Sequence, residues 1–362
     1  MTVLIFIIVL AVLIFVHELG HFLFALWNKI RVDEFKIGFG PRLFSWQRGE
    51  TKYGVNLIPF GGYVKIHGEN PDDESISGRD HGRSFVNKKP WQQVSVLVAG
   101  VLFNFLFAWL LYALVFSIGV TATKDGFEQY KENFKNERVM ITIVTPDSPA
   151  QKAGLRIGDT IRYIEDPKNS KIEDIQSVIN NGTAKPLKIA YTRQGQDLET
   201  SAIPEKGIVG DKYAIGIAMS DTVDIRLPIY SAIYEGGYYT YFMMKETVFG
   251  LYDFFGNIFR GKANFSDVSG PVGIAGIVGD AAGLGIAYLL MITALISINL
   301  GVINLIPFPA LDGGRVLFVI IESVIRRKIK PIYANSINTV GFVLLMLLMI
   351  IVTYKDIVKI LK

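Results

Sequence analysis

The feature that most constrains this chain is a group of polar residues inside an apolar N-terminal helix. The first 16 residues carry no charge, and residues 22–27 are uncharged again. An apolar segment of this length can cross a lipid bilayer. His17, Glu18 and His21 therefore lie at membrane depth, where ionisable side chains are energetically expensive and usually functional.

The spacing of these residues indicates a metal site. His17 and His21 are four residues apart, so a helix places both imidazoles on one face. Two imidazoles at this spacing can bind one metal ion, with the intervening Glu18 as a candidate general base. The H-E-x-x-H pattern also occurs by chance in soluble proteins. Within a membrane span, chance is a much poorer explanation, because buried ionisable residues are costly there. We predict one Zn²⁺ per chain.

The composition indicates an integral membrane protein. Of the 362 residues, 50% are hydrophobic and only 19% are charged, below the value of about 25% that is usual for soluble domains. The net charge of +4, without a run of basic and aromatic residues, does not suggest nucleic-acid binding. The chain has no cysteine, which excludes a thiol nucleophile and a cysteine-ligated zinc site.

Apolar and polar runs divide the chain into four predicted parts. The apolar runs lie at about residues 2–27, 94–118, 284–325 and 337–354. The resulting fold class is an α-helical polytopic membrane protein with about four transmembrane helices, a small membrane-associated β-hairpin sheet and an inserted α/β domain. The expected parts are an N-terminal membrane domain (1–120), a soluble domain (126–206), a connector (207–282) and a C-terminal membrane domain (283–362).

Basic residues predict the orientation. The loop between the first two spans carries eleven Lys and Arg, and residues 326–330 are also strongly basic. Positive loops remain cytoplasmic, so we expect both termini and the insert outside the cell membrane. Lys355, Lys359 and Lys362 weigh weakly against this arrangement. The aromatic stretch 225–259 is typical of an amphipathic helix on the outer membrane surface, with packing against the soluble domain as the alternative.

The first loop contains a predicted small sheet. Residues 38–44 and 59–66 flank a strand-like segment at 53–58, and glycines mark the turns. The apolar content suggests that the sheet dips toward the membrane, although an ordinary cytoplasmic hairpin is equally compatible. His67 and His81 fall in or beside a polar stretch that we interpret as a solvated loop, so neither is an expected metal ligand.

A zinc ion held by two imidazoles in a chain without cysteine needs a carboxylate as its third protein ligand. Carboxylates in or beside the later apolar regions are Asp280, Asp312, Glu322 and Asp356. Asp312 stands in an apolar run that is interrupted by two prolines and two glycines. Broken helices at membrane depth usually form binding sites. Glu322 could instead pair with Arg326. We therefore select Asp312, with capping of the following helix as the alternative.

Taken together, these motifs resemble the site-2 protease family of intramembrane zinc metalloproteases (peptidase M50-like). The resemblance is closest to the bacterial regulator-of-sigma-E protease branch and extends over nearly the whole chain. Its two main motifs are F-x-H-E-x-G-H at 15–21 and N-x-x-P-x-P-x-L-D-G at 304–313, with shorter matches at 38–41, 59–65 and 269–274. The family motif G-P-x-x-N lacks its proline here, where Gly100 is followed by Val101, while its asparagine corresponds to Asn104.

The insert resembles one PDZ domain, from about Glu137 to Glu205, with a helix near Ile172–Asn180. PDZ domains bind peptide ends by adding a strand to a sheet edge, whereas a plug without a ligand is the alternative. Some relatives carry two tandem PDZ domains, but this insert has room for one. The resemblance implies that the domain excludes substrates with bulky outer parts.

The resemblance also implies the activity. It predicts a zinc metalloendopeptidase in the bacterial cytoplasmic (inner) membrane that cleaves transmembrane segments of single-span proteins, such as anti-sigma factors or remnant signal peptides already trimmed by another protease. The active site is expected toward the cytoplasmic side. Asn304 and the hairpin residues Gly61, Gly62 and Tyr63 are implied to bind the substrate backbone.

Two other functions use the same residues. A zinc transporter or sensor needs polar residues on both sides of the metal, and the first span offers none between Thr2 and His17. A catalytically inactive scaffold that displays a PDZ domain has no use for Glu18 beside two imidazoles.

Overall fold

The computed structural model describes residues 1–69, 76–209, 212–261 and 269–361. The helices, in chain order, are α1 (Thr2–Trp27), α2 (Pro90–Ile118), α3 (Pro149–Lys152), α4 (Ile172–Asn180), α5 (Ile229–Phe259), α6 (Pro271–Leu284), α7 (Ile286–Leu305), α8 (Asp312–Ile325) and α9 (Pro331–Leu361). The strands are β1 (Val32–Arg48), β2 (Thr51–Ile66), β3 (Val120–Thr123), β4 (Phe134–Val144), β5 (Thr160–Ile164), β6 (Leu187–Arg193), β7 (Gln196–Ala202), β8 (Glu205–Val209), β9 (Lys212–Ala214) and β10 (Ile217–Ile225).

Four helices among the described residues are long and apolar enough to cross a membrane. They are α1, α2, α7 and the segment Ile332–Val358 of α9. The predicted fold class, a polytopic helical membrane protein with an inserted sheet domain, is therefore confirmed. The chain forms two compact units, one made of Met1–Leu114 with Tyr230–Lys362 and the other of Val115–Ile229.

The predicted sheet in the first loop is present and consists of β1 and β2, which curl on themselves. Phe35 of β1 pairs with Val64 on one side and with Tyr53 on the other, while Ser45 pairs with Gly54. The two long strands thus form four strand segments. The ring of Phe35 packs against Phe22 of α1, with 5.2 Å between ring centroids, so the sheet is fixed to the helix that carries the histidines.

The interpretation of the following stretch as a solvated loop is wrong for His67. This residue is only 7% exposed. Its backbone N–H donates to the carbonyl of Arg31, and its own carbonyl accepts from the N–H of Phe85, so it joins the end of the sheet to the next segment. His81 is exposed, as expected. Residues 70–75 of this stretch lie outside the described residues.

The third apolar region is broken where its prolines and glycines predict. Helix α7 ends at Leu305 and α8 begins at Asp312, with an irregular turn between them. A Cβ atom at Gly313 would lie 2.3 Å from the carbonyl oxygen of Leu305, so only glycine permits this close return of the chain. Ala310 has a φ of 72°, and its N–H donates to the side-chain oxygen of Asn338 at 3.3 Å.

The inserted unit is built on a six-stranded sheet with the strand order β3-β10-β4-β5-β6-β7. Its core is formed by buried aliphatic residues of the strands and of α4, among them Ile141, Ile161, Ile175 and Ile189. Asp159 is almost fully buried and accepts two hydrogen bonds of 2.7 Å from Arg193. These bonds raise the pKa of Arg193 above its usual value. The assignment of this unit to the PDZ fold stays a prediction.

The aromatic segment after the insert forms α5, a helix of 31 residues. Several tyrosines on this helix are more than half exposed, namely Tyr230, Tyr234, Tyr238 and Tyr241. The indole N–H of Trp109 on α2 donates to the carbonyl of Ile233 at 2.8 Å, which fixes α5 to a membrane-spanning helix. The location of α5 on the outer membrane surface stays a prediction.

Candidate metal centre

Helix α1 supplies the first two side chains of the candidate metal centre. The helical spacing places His17 and His21 on one face, and each residue is only 8% exposed. Their Nε2 atoms lie 3.2 Å apart, and the two rings are nearly perpendicular, at 87°. Two nitrogen atoms of one long apolar helix therefore point to one spot.

The first turn of α8 supplies the third side chain. Oδ2 of Asp312 lies 3.2 Å from Nε2 of His17 and 3.3 Å from Nε2 of His21. This oxygen is buried and accepts no hydrogen bond from any described residue. The alternative role of Asp312 as a helix cap has no support, because α8 shows no side-chain capping hydrogen bond.

The three converging atoms fit a zinc ion. Zinc binds imidazole nitrogen and carboxylate oxygen at about 2.0–2.2 Å, so two donors of a tetrahedral site lie roughly 3.4 Å apart. The observed separations of 3.2, 3.2 and 3.3 Å form a nearly equilateral triangle of this size. Two imidazoles and one carboxylate are also a donor set typical of catalytic zinc, which keeps a further position open. His17, His21 and Asp312 form the one such group of three found among the described residues.

A close approach of α1 and α2 makes this arrangement possible. A Cβ atom at Gly100 of α2 would lie 2.4 Å from Nε2 of His21 and 2.7 Å from Cε1 of His17, and a Cβ atom at Gly20 of α1 would lie 2.4 Å from the carbonyl oxygen of Ala99. Small residues allow membrane helices to approach closely. Glycine at position 20 therefore lets the two helices approach, and glycine at position 100 leaves room for the imidazoles.

The second nitrogen of each imidazole also has a neighbour on α2. Nδ1 of His21 lies 2.9 Å from the carbonyl oxygen of Val96. Nδ1 of His17 lies 3.1 Å from the side-chain amide of Asn104. Asn304, at the end of α7, places its amide nitrogen 3.5 Å from Nε2 of His17, so this predicted substrate-binding residue lies next to the converging atoms.

A cavity of about 340 Å³ adjoins the three atoms, and Glu18 lines it together with residues of β2. Tyr63 borders this cavity and donates a hydrogen bond of 2.9 Å from its hydroxyl to Glu34. A Cβ atom at Gly62 would lie 3.6 Å from Cγ of Glu18. The hairpin backbone, including the neighbouring Gly61, is thus brought beside the candidate base.

Charged groups outside the predicted set also border this cavity. Arg315, one turn after Asp312, forms an ion pair with Glu69 across it. On the hairpin, a hydrogen bond from Lys36 and a second one from Tyr63 lower the pKa of Glu34 below its usual value. Arg315 and Glu69 make the wall of the cavity polar, whereas Glu34 lies behind Tyr63 and does not line the cavity.

The other carboxylates considered as ligands lie elsewhere. Glu322 accepts a hydrogen bond of 2.8 Å from the N–H of Ile329. Asp356 accepts one of 2.7 Å from the N–H of Gly273. Asp280 is exposed on α6. None of the three belongs to the metal-ligating group found among the described residues.

Comparisons with known proteins place the chain in a family. A family model described as peptidase family M50 matches residues 5–348. A Clostridium perfringens protein, classed by name with zinc metalloproteases, is 37% identical over 96% of this chain and 95% of its own length. Zinc metalloprotease RasP of Geobacillus kaustophilus is 30% identical over 98% of this chain and 97% of its own length. Regulator of sigma-W protease RasP of Bacillus subtilis is 28% identical, over 98% of each. The family match extends from the first helix to the last, and the chain belongs to peptidase family M50.

Proposed function

We propose that this zinc metalloprotease of the site-2 protease type cuts a peptide bond within the transmembrane segment of single-span membrane proteins. One observation carries the proposal. Two imidazole nitrogens and a carboxylate oxygen converge within 3.3 Å of one another, beside a cavity that Glu18 lines. Such a site has the donors and the base that metal-assisted peptide hydrolysis requires.

His17, His21 and Asp312 are the residues that would hold the zinc ion. When bound there, zinc supplies Lewis acidity, which polarises a peptide carbonyl and lowers the pKa of an attacking water. His17 and His21 are buried, and the converging oxygen of Asp312 is buried as well, so the three donor atoms are held in place before any ligand arrives. Preorganised donors spare the enzyme a reorganisation cost in the transition state.

Glu18 acts as the general base. Its carboxylate takes a proton from the water that attacks the carbonyl carbon, and it then delivers this proton to the amide nitrogen as the C–N bond breaks. The products are a carboxylate end and an amine end. Glu18 borders the same cavity as the three converging residues, which supports this role.

The substrate must lose its helical structure before it can react. In a transmembrane helix every carbonyl near the cut is already hydrogen bonded, so the segment has to unwind locally. We propose that the extended segment pairs with the backbone at Gly61, Gly62 and Tyr63, and that Asn304 donates a hydrogen bond to it. The proximity of Gly62 to Glu18 and of Asn304 to His17 supports both roles.

The inserted unit acts as a PDZ-like filter on the extracytoplasmic side. Strand β10 pairs with β4 over most of its length but with β3 only from Thr222 to Ile225. Among the described residues, the first half of β10 therefore has no neighbouring strand on the side opposite β4. Helix α4 contacts β10. An extended peptide end can bind at such an edge.

The substrates are membrane-anchored anti-sigma factors or remnant signal peptides, and the enzyme lies in the bacterial cytoplasmic membrane with its catalytic site toward the cytoplasm. The relative named regulator of sigma-W protease supports the first substrate class. The four apolar helices support the multi-pass topology, and the basic first loop supports the orientation.

The two other functions considered, a transporter and an inactive scaffold, explain neither the family match nor the position of Glu18 beside the cavity.

The first prediction concerns the general base. In purified full-length protein in detergent, with a single-span model substrate, Glu18→Gln should retain one zinc per chain and lower cleavage by about 10²–10⁴-fold, because a positioned base contributes this much. Zinc content and cleavage are measured on the same samples.

Asp280→Asn is the matched control, because it neutralises an exposed membrane carboxylate outside the centre. This variant should cut like wild type. Cleavage by Glu18→Gln at the wild-type rate would contradict the base role, and zinc-loaded wild type that cuts no substrate would contradict the protease assignment.

The second prediction concerns Asn304. Asn304→Ala should lower kcat/KM by about 10-fold, because one lost hydrogen bond to a buried backbone costs about 1–2 kcal/mol, and zinc content should not change. Asn299→Ala is the matched control on the same helix, since Asn299 instead accepts a hydrogen bond of 2.8 Å from Thr247. Equal kcat/KM values for the two variants would exclude a substrate contact of Asn304.

The third prediction concerns the filter. Deletion of residues 126–206 should permit cleavage of a substrate whose outer domain has not been trimmed, while wild type cuts only the trimmed form. The comparison is made in cells and with purified proteins, and cleavage of trimmed substrate serves as the control for folding. If the deletion variant cuts trimmed substrate but leaves untrimmed substrate intact, the insert is not a filter.

A further inference from the structure

The residues that hold the second nitrogens of the two imidazoles differ in chemistry. Nδ1 of His21 lies 2.9 Å from the backbone carbonyl of Val96, and a carbonyl can only accept a hydrogen bond. His21 must therefore carry its proton on Nδ1, which leaves the lone pair on Nε2. Nε2 is the atom that faces Asp312 and His17.

His17 has a side-chain amide at the same position. The carboxamide of Asn104 lies 3.1 Å from Nδ1 of His17, and Asn104 is completely buried. An amide can offer either its N–H₂ group or its oxygen. The nitrogen is the atom that faces Nδ1, while Oδ1 is buried without a hydrogen-bond partner. Rotation of the amide group by 180° exchanges the two atoms.

The zinc site decides which end of the amide must face His17. A metal on Nε2 uses the lone pair of that nitrogen, so the proton of the neutral ring resides on Nδ1. Only the oxygen of Asn104 can accept this proton in a hydrogen bond. With the nitrogen of the amide toward Nδ1, the ring would instead place its proton on Nε2 and block the metal.

The backbone of Asn104 also contacts a third helix. The hydroxyl of Ser297 on α7 donates a hydrogen bond of 2.8 Å to the backbone carbonyl of Asn104, and both residues are completely buried. Asn104 also follows Gly100 by one helical turn, and Gly100 is the position where α2 contacts both imidazoles. The helical backbone of α2 therefore places the amide at the height of the metal ligands, independently of the bond from Ser297.

We propose that Asn104 is a positioning residue of the zinc site. Its side-chain oxygen accepts a hydrogen bond from Nδ1–H of His17, which holds the ring with Nε2 directed at the metal. The inference rests on the proposed zinc function of His17. Asn104 acts through His17 and has no contact with the reacting atoms in this role. Partners of this kind change metal affinity by about 10–100-fold when they are removed.

The test compares the zinc affinities of wild type, Asn104→Leu and Asn104→Asp. Affinity is measured by competition with a chelating dye, on full-length protein in detergent. Leucine has the same number and branching of side-chain heavy atoms but no acceptor, so we expect zinc to bind about 10–100-fold more weakly. Aspartate restores an acceptor oxygen at the same place, so its zinc affinity should lie within about threefold of wild type or above it, as in carboxylate–histidine–zinc triads.

Ser297→Ala is the matched control, because it removes a buried hydrogen bond at Asn104 but leaves the side-chain amide in place. It should bind zinc like wild type. Circular dichroism and gel filtration show which variants are folded, and the aspartate variant keeps the test decisive if the leucine variant is not.

The outcomes separate this inference from the proposed function. Equal zinc affinity of wild type and Asn104→Leu would overturn the inference while leaving the zinc site intact. An aspartate variant as weak as the leucine variant, or an equal loss in Ser297→Ala, would show that packing rather than the acceptor matters. Failure of wild type itself to bind zinc would instead contradict the proposed function.

Discussion

The architecture of the membrane domain depends on the cost of burying polar side chains among apolar helices. His17, His21 and Asp312 are stable there only if each polar atom has a partner. The second nitrogens of the two imidazoles find theirs on α2, at Val96 and at the amide of Asn104. The remaining two nitrogens and one oxygen face one another, and a bound cation is the partner that satisfies all three together. The same requirement explains why α1, α2 and α8 meet at this point.

The irregular backbone of this domain fits the proposed reaction. Backbone that is not helical is tolerated at membrane depth only where it packs on protein or lines a cavity. The turn between α7 and α8 meets this condition, since Ala310 borders the cavity and donates its N–H to Asn338. The hairpin meets it as well through its packing on α1. The proposed reaction needs a place where water and an unwound substrate meet, and a polar cavity beside apolar helices fits this need.

Much of this arrangement could be predicted from the sequence, because membrane burial turns a short motif into a strong constraint. The spacing of the two histidines and the absence of cysteine led to Asp312, which lies beside them in the structure. The ion pair of Arg315 with Glu69 was not predicted, because its partners are far apart in sequence and meet only after folding. The burial of His67 was not predicted either, because its surroundings are polar and its contacts come from distant backbone segments.

The most direct test of the central claim is X-ray absorption at the zinc edge of purified protein. The account predicts one zinc per chain, with two imidazole nitrogens among a first shell of nitrogen and oxygen at about 2.0–2.2 Å. The imidazole signal should fall in His17→Ala, and zinc should be lost in the double variant His17→Ala with Asp312→Ala. A first shell without imidazole, or full zinc content in the double variant, would contradict it.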